Sequence, residues 1–282
     1  MREIARSLLF VPGHQGARFD KACASGADAI VLDLEDAVPP GRKDDARAQV
    51  AQWLAGLGDD AARPAVAVRI NGAGTPWHAD DLALCAHGRV AALMLPKAED
   101  GQVLRHIGIA LPHTALLPLV ETARGIAALD EIAVAPQVQR LVFGTIDFQA
   151  DMAIEGDEQT LLFYRSRIAL ASRLAGLQPP VDGVSTALDD RAQVAAEARH
   201  ARRLGFGAKL CIHPRQVAPV NESFSPTPAQ LEWARHVLAA DAASGGAPVA
   251  VDGKMVDRPV VLKAQALLRA AGQQQTPGET HA

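Results

Sequence analysis

Five short apolar runs in this chain each lead to a charged residue, at nearly regular intervals. The charged residues are Glu35, Arg69, Lys97, Glu121 and Asp147. The steps between them are 34, 28, 24 and 26 residues, which is the length of one strand with its return helix. In a parallel α/β barrel the carboxyl ends of all strands lie at one mouth. We therefore expect these five side chains to meet at a barrel mouth, where the strands end.

Eight segments have the composition of short buried strands, because they are apolar and rich in β-branched residues or leucine. They lie near residues 7–11, 28–34, 65–70, 90–96, 114–120, 139–144, 181–184 and 208–212. Stretches with helical periodicity separate most of them, for example 43–57, 160–174 and 189–204. Alternating strands and helices predict a parallel sheet, and eight units predict a closed (β/α)8 TIM barrel. The first strand is not followed by Gly-x-Gly-x-x-Gly, which weakens the dinucleotide-binding alternative.

The length of 282 residues leaves room for more than the barrel. We predict a barrel domain at 1–225 and a helical extension at 226–282, which acts as a lid or an oligomer contact. Thr227 and Pro228 have the pattern of a helix N-cap and first helical residue, with the helix continuing to about Ala243. A break at 244–248, an extended stretch at 249–255 and a final helix at 258–271 follow. The polar residues 272–282 are expected to be disordered.

Composition excludes several classes of partner. The net charge of −4 and the pI of about 6.1 give no basic surface for nucleic acid. Cys23, Cys85 and Cys211 lack the spacing of a metal or disulfide site and are interpreted as buried thiols in a reducing compartment. The apolar run at 8–11 is too short for a signal peptide or a membrane span. We therefore expect a cytoplasmic protein without a nucleic-acid or membrane partner.

Glu121 and Asp147 are candidate metal ligands. Mg²⁺ prefers oxygen ligands and is usually bound by one or two carboxylates, with water and substrate completing the shell. Neighbouring barrel strands can bring two such carboxylates to one ion. The alternative is that each carboxylate caps the helix that follows it, and the residues alone leave both interpretations open.

Arg69 is the candidate for binding a carboxylate substrate, since a guanidinium offers a planar fork that matches a carboxylate. The alternative is a salt bridge to Glu35. The acidic residues Asp33, Glu35 and Asp36 would repel one another without a nearby cation. Lys97 could supply that cation, or could pair with its neighbour Glu99.

Taken together and in order, eight motifs resemble the citrate lyase beta-subunit-like proteins of the aldolase and malyl-coenzyme A lyase superfamily. They occupy residues 6–13, 33–38, 68–71, 96–99, 121–125, 143–148, 209–214 and 251–257. The resemblance implies a magnesium-dependent α/β barrel, usually a homotrimer, that acts on short carboxylic acids or their coenzyme A thioesters.

The resemblance also implies roles for particular residues. Glu121 and Asp147 would bind Mg²⁺, with Glu121 also near the substrate, and Arg69 would hold the substrate carboxylate. Glu35 would approach the metal and assist proton transfer. Asp257 would act as acid or base in the site of a neighbouring subunit, although an aspartate before a helix is also a common N-cap.

The activity implied is that of a carbon–carbon lyase on a short hydroxy-dicarboxylic acid or its thioester, of the citryl-, malyl- or citramalyl-coenzyme A type. Bound Mg²⁺ would polarise the keto-acid oxygens. Four alternatives stay open: a pyruvate-type aldolase, a malate-synthase-like condensing and hydrolysing enzyme, an acyl-carrier-dependent lyase subunit, and a barrel that binds a metabolite without turnover. The presence of Asp257 favours an enzyme that works without a carrier.

Overall fold

The computed structural model describes residues 6–58, 60, 62–156, 158–245, 247–251 and 253–272. The chain divides into two compact units, Met1–Phe224 and Ser225–Ala282. This division lies one residue before the predicted boundary between residues 225 and 226.

The first unit is a closed parallel barrel, which confirms the predicted fold class. In its described residues the strands pair in sequence order, and β8 closes the ring by pairing with β1. The strands are β1 (Ser7–Pro12), β2 (Ala29–Asp33), β3 (Ala65–Arg69), β4 (Ala92–Leu95), β5 (Ala115–Val120), β6 (Val142–Phe143), β7 (Val181–Asp182) and β8 (Ala208–Cys211).

Helices follow the strands around the outside of the barrel. They are α1 (Phe19–Cys23), α2 (Lys43–Ala55), α3 (His78–Cys85), α4 (Gly101–Ala110), α5 (Ala123–Ala127), α6 (Leu129–Ala133), α7 (Thr145–Met152), α8 (Leu162–Leu174), α9 (Arg191–Arg203) and α10 (Val217–Phe224). The helices predicted at 43–57, 160–174 and 189–204 correspond to α2, α8 and α9. Asp190 explains the start of α9, because its side chain accepts the N–H of Gln193 as an N-cap.

Alternation along the strands decides which side chains enter the barrel. Val31 on β2 and Ala67 on β3 belong to the cluster of apolar side chains that fills the interior. Since successive strand residues face opposite sides, Asp33 and Arg69 continue the same inward-facing series. The two are register partners on neighbouring strands. Sequence alternation therefore places a carboxylate and a guanidinium side by side at the mouth.

The expectation that every charged residue closes a strand is only partly right. Arg69 is the last residue of β3, and Glu121 directly follows β5. Glu35 and Lys97 lie two residues beyond their strands, and Asp147 lies in the first turn of α7. After β4 the chain turns within two residues, since Lys97 has a left-handed backbone with φ 46°.

The second unit consists of α11 (Pro228–Ala243), an antiparallel hairpin of β9 (Val249–Val251) and β10 (Lys254–Val256), and α12 (Arg258–Gly272). Thr227 and Gln230 form a reciprocal capping box, which confirms the predicted start of α11. The two helices and the hairpin enclose a small core of Ala234, Val237, Val256, Val261 and Ala264. Of the tail predicted to be disordered, Gly272 ends α12 and residues 273–282 lie outside the described residues.

The three cysteines are free thiols; Cys85 and Cys211 are buried as predicted, and Cys23 is half-buried. Burial raises the pKa of all three thiols. No helix in the described part of the chain is long and apolar enough to cross a membrane.

Candidate active site

Arg69 lies at the mouth with its guanidinium fixed by a carboxylate. Its Nε and Nη2 atoms donate to the two carboxylate oxygens of Asp33, both at 2.7 Å. The cation also stands 4.7 Å from the ring centre of Phe10. Asp33 is held in turn by the backbone N–H groups of Glu35 and Ala37, at 2.9 and 3.0 Å. Sequence reasoning counted Asp33 only as part of an acidic cluster, whereas the structure makes it the residue that orients Arg69.

The remaining N–H groups of Arg69 are directed away from Asp33. A guanidinium has five N–H donors, and Asp33 uses two of them. Nη1 lies 3.1 Å from Oε2 of Glu35 and 3.8 Å from Oδ2 of Asp36. Burial alone would lower the pKa of Arg69, but hydrogen bonding to Asp33 and the nearby carboxylates raise it above its ordinary value. Arg69 therefore stays charged. It forms the ion pair with Glu35 that was the alternative interpretation, and the N–H groups that Asp33 does not use are left for a further anion.

Glu35 is a buried carboxylate that is not fully satisfied. Its Oε1 lies 3.5 Å from Nζ of Lys97. Its Oε2 is near Arg69 but is not aligned with any hydrogen-bond donor of the described residues. Burial raises the pKa of Glu35 even though Arg69 opposes that change. A buried oxygen without a donor is costly, and it leaves a lone pair for a cation, a water or a proton.

Glu121 is also buried, with 2% of the residue exposed. Its Oε1 accepts the backbone N–H of Lys97 at 2.8 Å. On the other side it packs against the bare Cα of Gly144, where an added Cβ would lie 2.6 Å from Cβ and 2.7 Å from Oε2 of Glu121. Burial, together with the charges of Asp147 and Glu35, raises the pKa of Glu121 to about 7.

Lys97 connects the two glutamates. Its left-handed backbone costs about 1–2 kcal/mol for a residue with a side chain and aims its N–H at Glu121. Its ammonium group reaches Glu35. Glu99 instead accepts a hydrogen bond from Thr122 at 2.8 Å. Of the two interpretations of Lys97, neutralising the acidic cluster is the one that the structure confirms.

Asp147 is exposed in the first turn of α7, where it forms no hydrogen bond or ion pair with the other described residues. It is nevertheless close enough to raise the pKa of both Glu121 and Lys97. Neither candidate ligand is a helix cap: Thr122 caps α5 and Gly144 occupies the N-cap position of α7. The helix-cap alternative is therefore wrong for both carboxylates.

A third cation, Lys43, lies behind residues 33–38, which we call the acidic loop. The sequence reasoning missed it. Lys43 on α2 is only 6% exposed. Its Nζ donates to the carbonyl oxygens of Leu34 and Glu35, both at 2.8 Å. Its position, eight residues after Glu35 at the start of a helix, resembles that of an ordinary surface lysine, so the sequence carried no signal for its burial.

We define the mouth cluster as eight charged residues: Asp33, Glu35, Asp36, Lys43, Arg69, Lys97, Glu121 and Asp147. With every group ionised, as at a pH above the raised pKa of about 7 of Glu121, five carboxylates stand against three cations. This leaves two negative charges, the charge that one divalent cation would balance. The atoms of this cluster that could coordinate a metal are carboxylate oxygens, the type of ligand that Mg²⁺ prefers. The described residues contain no group of three or more His, Cys, Asp and Glu side chains arranged to hold a metal. Two carboxylates completed by water or substrate are typical of Mg²⁺, and the site therefore fits this ion.

Asp257 and two further residues of the eight motifs, Arg6 and His213, have ordinary structural contacts. Oδ1 of Asp257 accepts the N–H of Val260 at 3.3 Å, as an N-cap of α12 in the second unit. Arg6 forms a 2.9 Å ion pair with Asp28 just before β1, which is a structural role. His213 accepts the N–H of Arg215 at 3.2 Å at the start of a short 3-10 turn.

Residues 6–214 match the model of the HpcH/HpaI aldolase/citrate lyase family. The chain belongs to this family. It is 38% identical over 279 residues to a citrate lyase subunit beta-like protein of Deinococcus radiodurans, which covers 94% of this chain and 96% of the relative. It is 35% identical over 271 residues to a (3S)-malyl-CoA thioesterase of Cereibacter sphaeroides, covering 94% of both chains.

Solved structures of the family share this fold. A crystal structure of CitE from Mycobacterium tuberculosis in complex with magnesium, acetoacetate and coenzyme A superposes with a TM-score of 0.83 at 34% identity. The superposition covers 96% of this chain and all of that one (100%). Membership in the family confirms the resemblance drawn from the eight motifs, and with it the prediction of an enzyme of the lyase and aldolase type.

Proposed function

We propose that this protein is a magnesium-dependent carbon–carbon lyase that acts on a short hydroxy-dicarboxylic acid or its coenzyme A thioester, of the citryl, malyl or citramalyl type. The observation that carries the proposal is the mouth cluster, in which two uncompensated negative charges lie near a guanidinium with unused donors. The relatives support it, since CitE of Mycobacterium tuberculosis was crystallised with magnesium, acetoacetate and coenzyme A, and a citrate lyase beta subunit with oxaloacetate and magnesium.

Glu121 and Asp147 are the residues that would hold the ion. When bound, Mg²⁺ supplies a Lewis acid that polarises the substrate oxygens and balances the charge that develops on them. Two contacts of Glu121 support this role, the N–H of Lys97 on one side and the bare Cα of Gly144 on the other.

Arg69 binds the substrate carboxylate through the N–H groups that Asp33 does not use. Because Asp33 fixes the guanidinium before the substrate arrives, little conformational freedom is lost on binding. Glu35 is the candidate to take the hydroxyl proton in the cleavage direction. Its raised pKa brings it closer to the pH at which a proton acceptor and donor works best.

The second proton transfer belongs to Asp257 in this proposal. As the carbon–carbon bond breaks, a keto acid leaves, and the carbon next to the acyl carbonyl needs a proton, which Asp257 of the partner subunit supplies. A homotrimer with a shared site and a cytoplasmic location are parts of the same proposal. Co-assembly of two variants tests whether the site is shared between subunits. Asp257→Asn and Glu121→Gln chains, each inactive alone, should regain partial activity when they form mixed oligomers. Mixed oligomers without any activity would leave Asp257 as a helix cap.

Thioester hydrolysis is the second candidate, favoured by the 35% identity to a (3S)-malyl-CoA thioesterase over 94% of this chain. The products separate the two activities. A lyase converts malyl-coenzyme A to a 2-oxo acid and acetyl-coenzyme A, whereas a thioesterase releases malate and free coenzyme A.

A screen of hydroxyacyl-coenzyme A thioesters with Mg²⁺ tests the proposed function. We expect keto acid to form, and the activity to disappear when the metal is chelated. Arg69→Lys keeps the charge and loses the fork, and it should weaken substrate binding by about 1–3 kcal/mol. Turnover only of carrier-bound substrates would favour the carrier-dependent subunit, and absence of turnover on either type would contradict the lyase.

A further inference from the structure

Lys43 is a buried ammonium group that the proposed chemistry does not use. Besides its two bonds to the carbonyls of Leu34 and Glu35, its Nζ stands 5.2 Å from the ring centre of Trp77. An ammonium has three donors, so two carbonyls and an aromatic face account for all three directions. Lys43 therefore has no donor left for a substrate.

Burying the ammonium group of Lys43 is energetically costly unless its charge is compensated by nearby groups. Burial lowers the pKa of Lys43, while Asp33, Glu35, Asp81 and Asp36 oppose that change. These four carboxylates are the charged groups that face the ammonium from the surrounding segments. Three of them, Asp33, Glu35 and Asp36, belong to the segment whose carbonyls Lys43 binds, and they favour the charged form of the amine.

A second side chain, Asn71, binds the same loop from the segment that follows β3. Asn71 donates from Nδ2 to the carbonyl of Leu34 at 2.9 Å and to Oδ2 of Asp81 at 2.6 Å. Asp81 is 1% exposed and accepts a 2.9 Å bond from Nε of Arg47. Arg47 lies on α2, one turn after Lys43, so both cations of this helix reach the segments that follow β2 and β3.

We propose that Lys43 is a positioning residue of the active site, which holds the main chain of Leu34 and Glu35 so that Asp33 orients Arg69 and Glu35 faces the mouth. The two carbonyls that it binds belong to the residues between Asp33 and Asp36. The loop is otherwise held through the carboxylate of Asp33, the bond from Asn71 and local backbone bonds. Without the ammonium, the carbonyls of Leu34 and Glu35 keep only the bonds from Asn71 and from the N–H of Val38, so the loop loses the two bonds from a charged donor. The proposal rests on the proposed function for its catalytic consequence, but its structural content does not depend on it.

Lys209 provides a matched control. It is as deeply buried as Lys43, at 1% exposed, and its Nζ binds Asp182 at 2.8 Å on the helix side of the barrel wall. Lys43→Met and Lys209→Met therefore remove the same group from equally buried places, of which only one adjoins the mouth cluster.

Hydrogen exchange of the metal-free protein tests the positioning directly. The amides of Leu34, Glu35, Ala37 and Val38 are hydrogen-bonded to Arg69, Asp33 and Glu35. In Lys43→Met we expect exchange across residues 33–38 to accelerate about tenfold or more relative to the rest of the barrel, because two bonds from a charged donor are lost. Lys209→Met should leave this segment unchanged. Exchange in Lys43→Met that is unchanged there, or faster everywhere by the same factor, would overturn the proposal.

Kinetics give the second readout. If the wild type cleaves a thioester, Lys43→Met should lose about tenfold or more in kcat per folded molecule, while Lys209→Met retains the wild-type value despite its lower melting temperature. Lys43→Gln keeps a hydrogen-bond donor without the charge and replaces Lys43→Met in both experiments if that variant does not fold. Its exchange rate and kcat should lie between those of the wild type and those expected for Lys43→Met. Equal kcat in all folded variants would overturn the positioning role. An inactive wild type would contradict the proposed function and leave the exchange experiment valid.

Discussion

Two charge networks of the barrel differ in whether they are complete. One is the mouth cluster. The other is an inner triad of Asp182, Lys209 and Arg165, in which Lys209 and Arg165 bind the two oxygens of Asp182 at 2.8 and 2.9 Å. Burial alone would raise the pKa of Asp182, but the two cations lower it. The mouth cluster has the opposite character, because burial raises the pKa of Glu35 and Glu121.

Strand alternation explains the difference. Val181, Ala208 and Leu210 face the barrel interior, so Asp182 and Lys209 face α8 and α9 and are closed in on all sides. Asp33 and Glu121 have the inward parity and emerge at the open mouth. With Glu197 3.5 Å from Lys209, the two cations of the inner triad face two carboxylates and are balanced within the fold, whereas the mouth cluster keeps an unbonded oxygen of Glu35 and two excess negative charges. Buried polar groups that lack a hydrogen-bond or charge partner within the fold are expected where a protein binds a ligand.

The largest expected effect is on the inner triad. Asp182→Asn would leave Lys209 and Arg165 buried against a neutral amide, and removing one partner of a buried ion pair costs about 3–5 kcal/mol. Urea unfolding at pH 7 measures this loss. Because the triad lies outside the mouth, Mg²⁺ binding by the folded variant should be unchanged. A loss below about 1 kcal/mol would show that the triad is not a structural element.

Neutralising a buried carboxylate of the mouth cluster, Glu121, should instead increase the free energy of unfolding of the metal-free protein. The pKa of Glu121 rises from 4.5 to about 7 in the folded state, so its contribution to stability is present below pH 4.5 and is lost as the pH rises through 7. At about 1.4 kcal/mol per unit, the metal-free protein at pH 8 bears a cost of about 3 kcal/mol. Glu121→Gln removes that cost.

The expected result is a Glu121→Gln variant that is more stable than the wild type at pH 8 without metal and equally stable near pH 4. Unfolding curves at the two pH values measure the difference. Asp182→Asn is the control, because the lowered pKa of Asp182 gives stability that is lost only as the pH falls. A Glu121→Gln variant that is less stable at pH 8 would mean that Glu121 belongs to a complete network.

A smaller effect is expected from Gly144→Ala. The added Cβ would lie 2.6 Å from Cβ of Glu121, and overpacking of this kind costs about 1–3 kcal/mol. The φ of −87° at Gly144 suits any residue, so the effect is steric and falls on Glu121. Gly72→Ala is the matched control, since nothing lies within 4 Å of its added Cβ. Calorimetric titration should show weaker Mg²⁺ binding in the first variant only; equal affinity in both would separate Gly144 from the metal site.

The sequence predicted the frame of the molecule better than the details of its site. Apolar runs and helical periods depend on local residues, and for this reason the eight strands, α2, α8, α9 and α11 were predicted within a few residues. The part of Asp33 in fixing Arg69 depends on register between β2 and β3, which no single run encodes. The burial of Lys43 and the packing of Gly144 against Glu121 depend on contacts between distant segments. The position of Asp147 was displaced for a related reason, since β6 ends at Phe143 and α7 begins two residues later.

Calorimetric titration with Mg²⁺ tests the central claim most directly, namely that the mouth cluster lacks the charge of one divalent cation and that Glu121 and Asp147 receive it. The variants are Glu121→Gln and Asp147→Asn, with Glu197→Gln as a control carboxylate that lies 3.5 Å from Lys209. We expect one Mg²⁺ per chain for the wild type and Glu197→Gln, and no binding in the other two variants. Mg²⁺ binding that persists at wild-type affinity without either carboxylate, or a wild type that binds none, would contradict it.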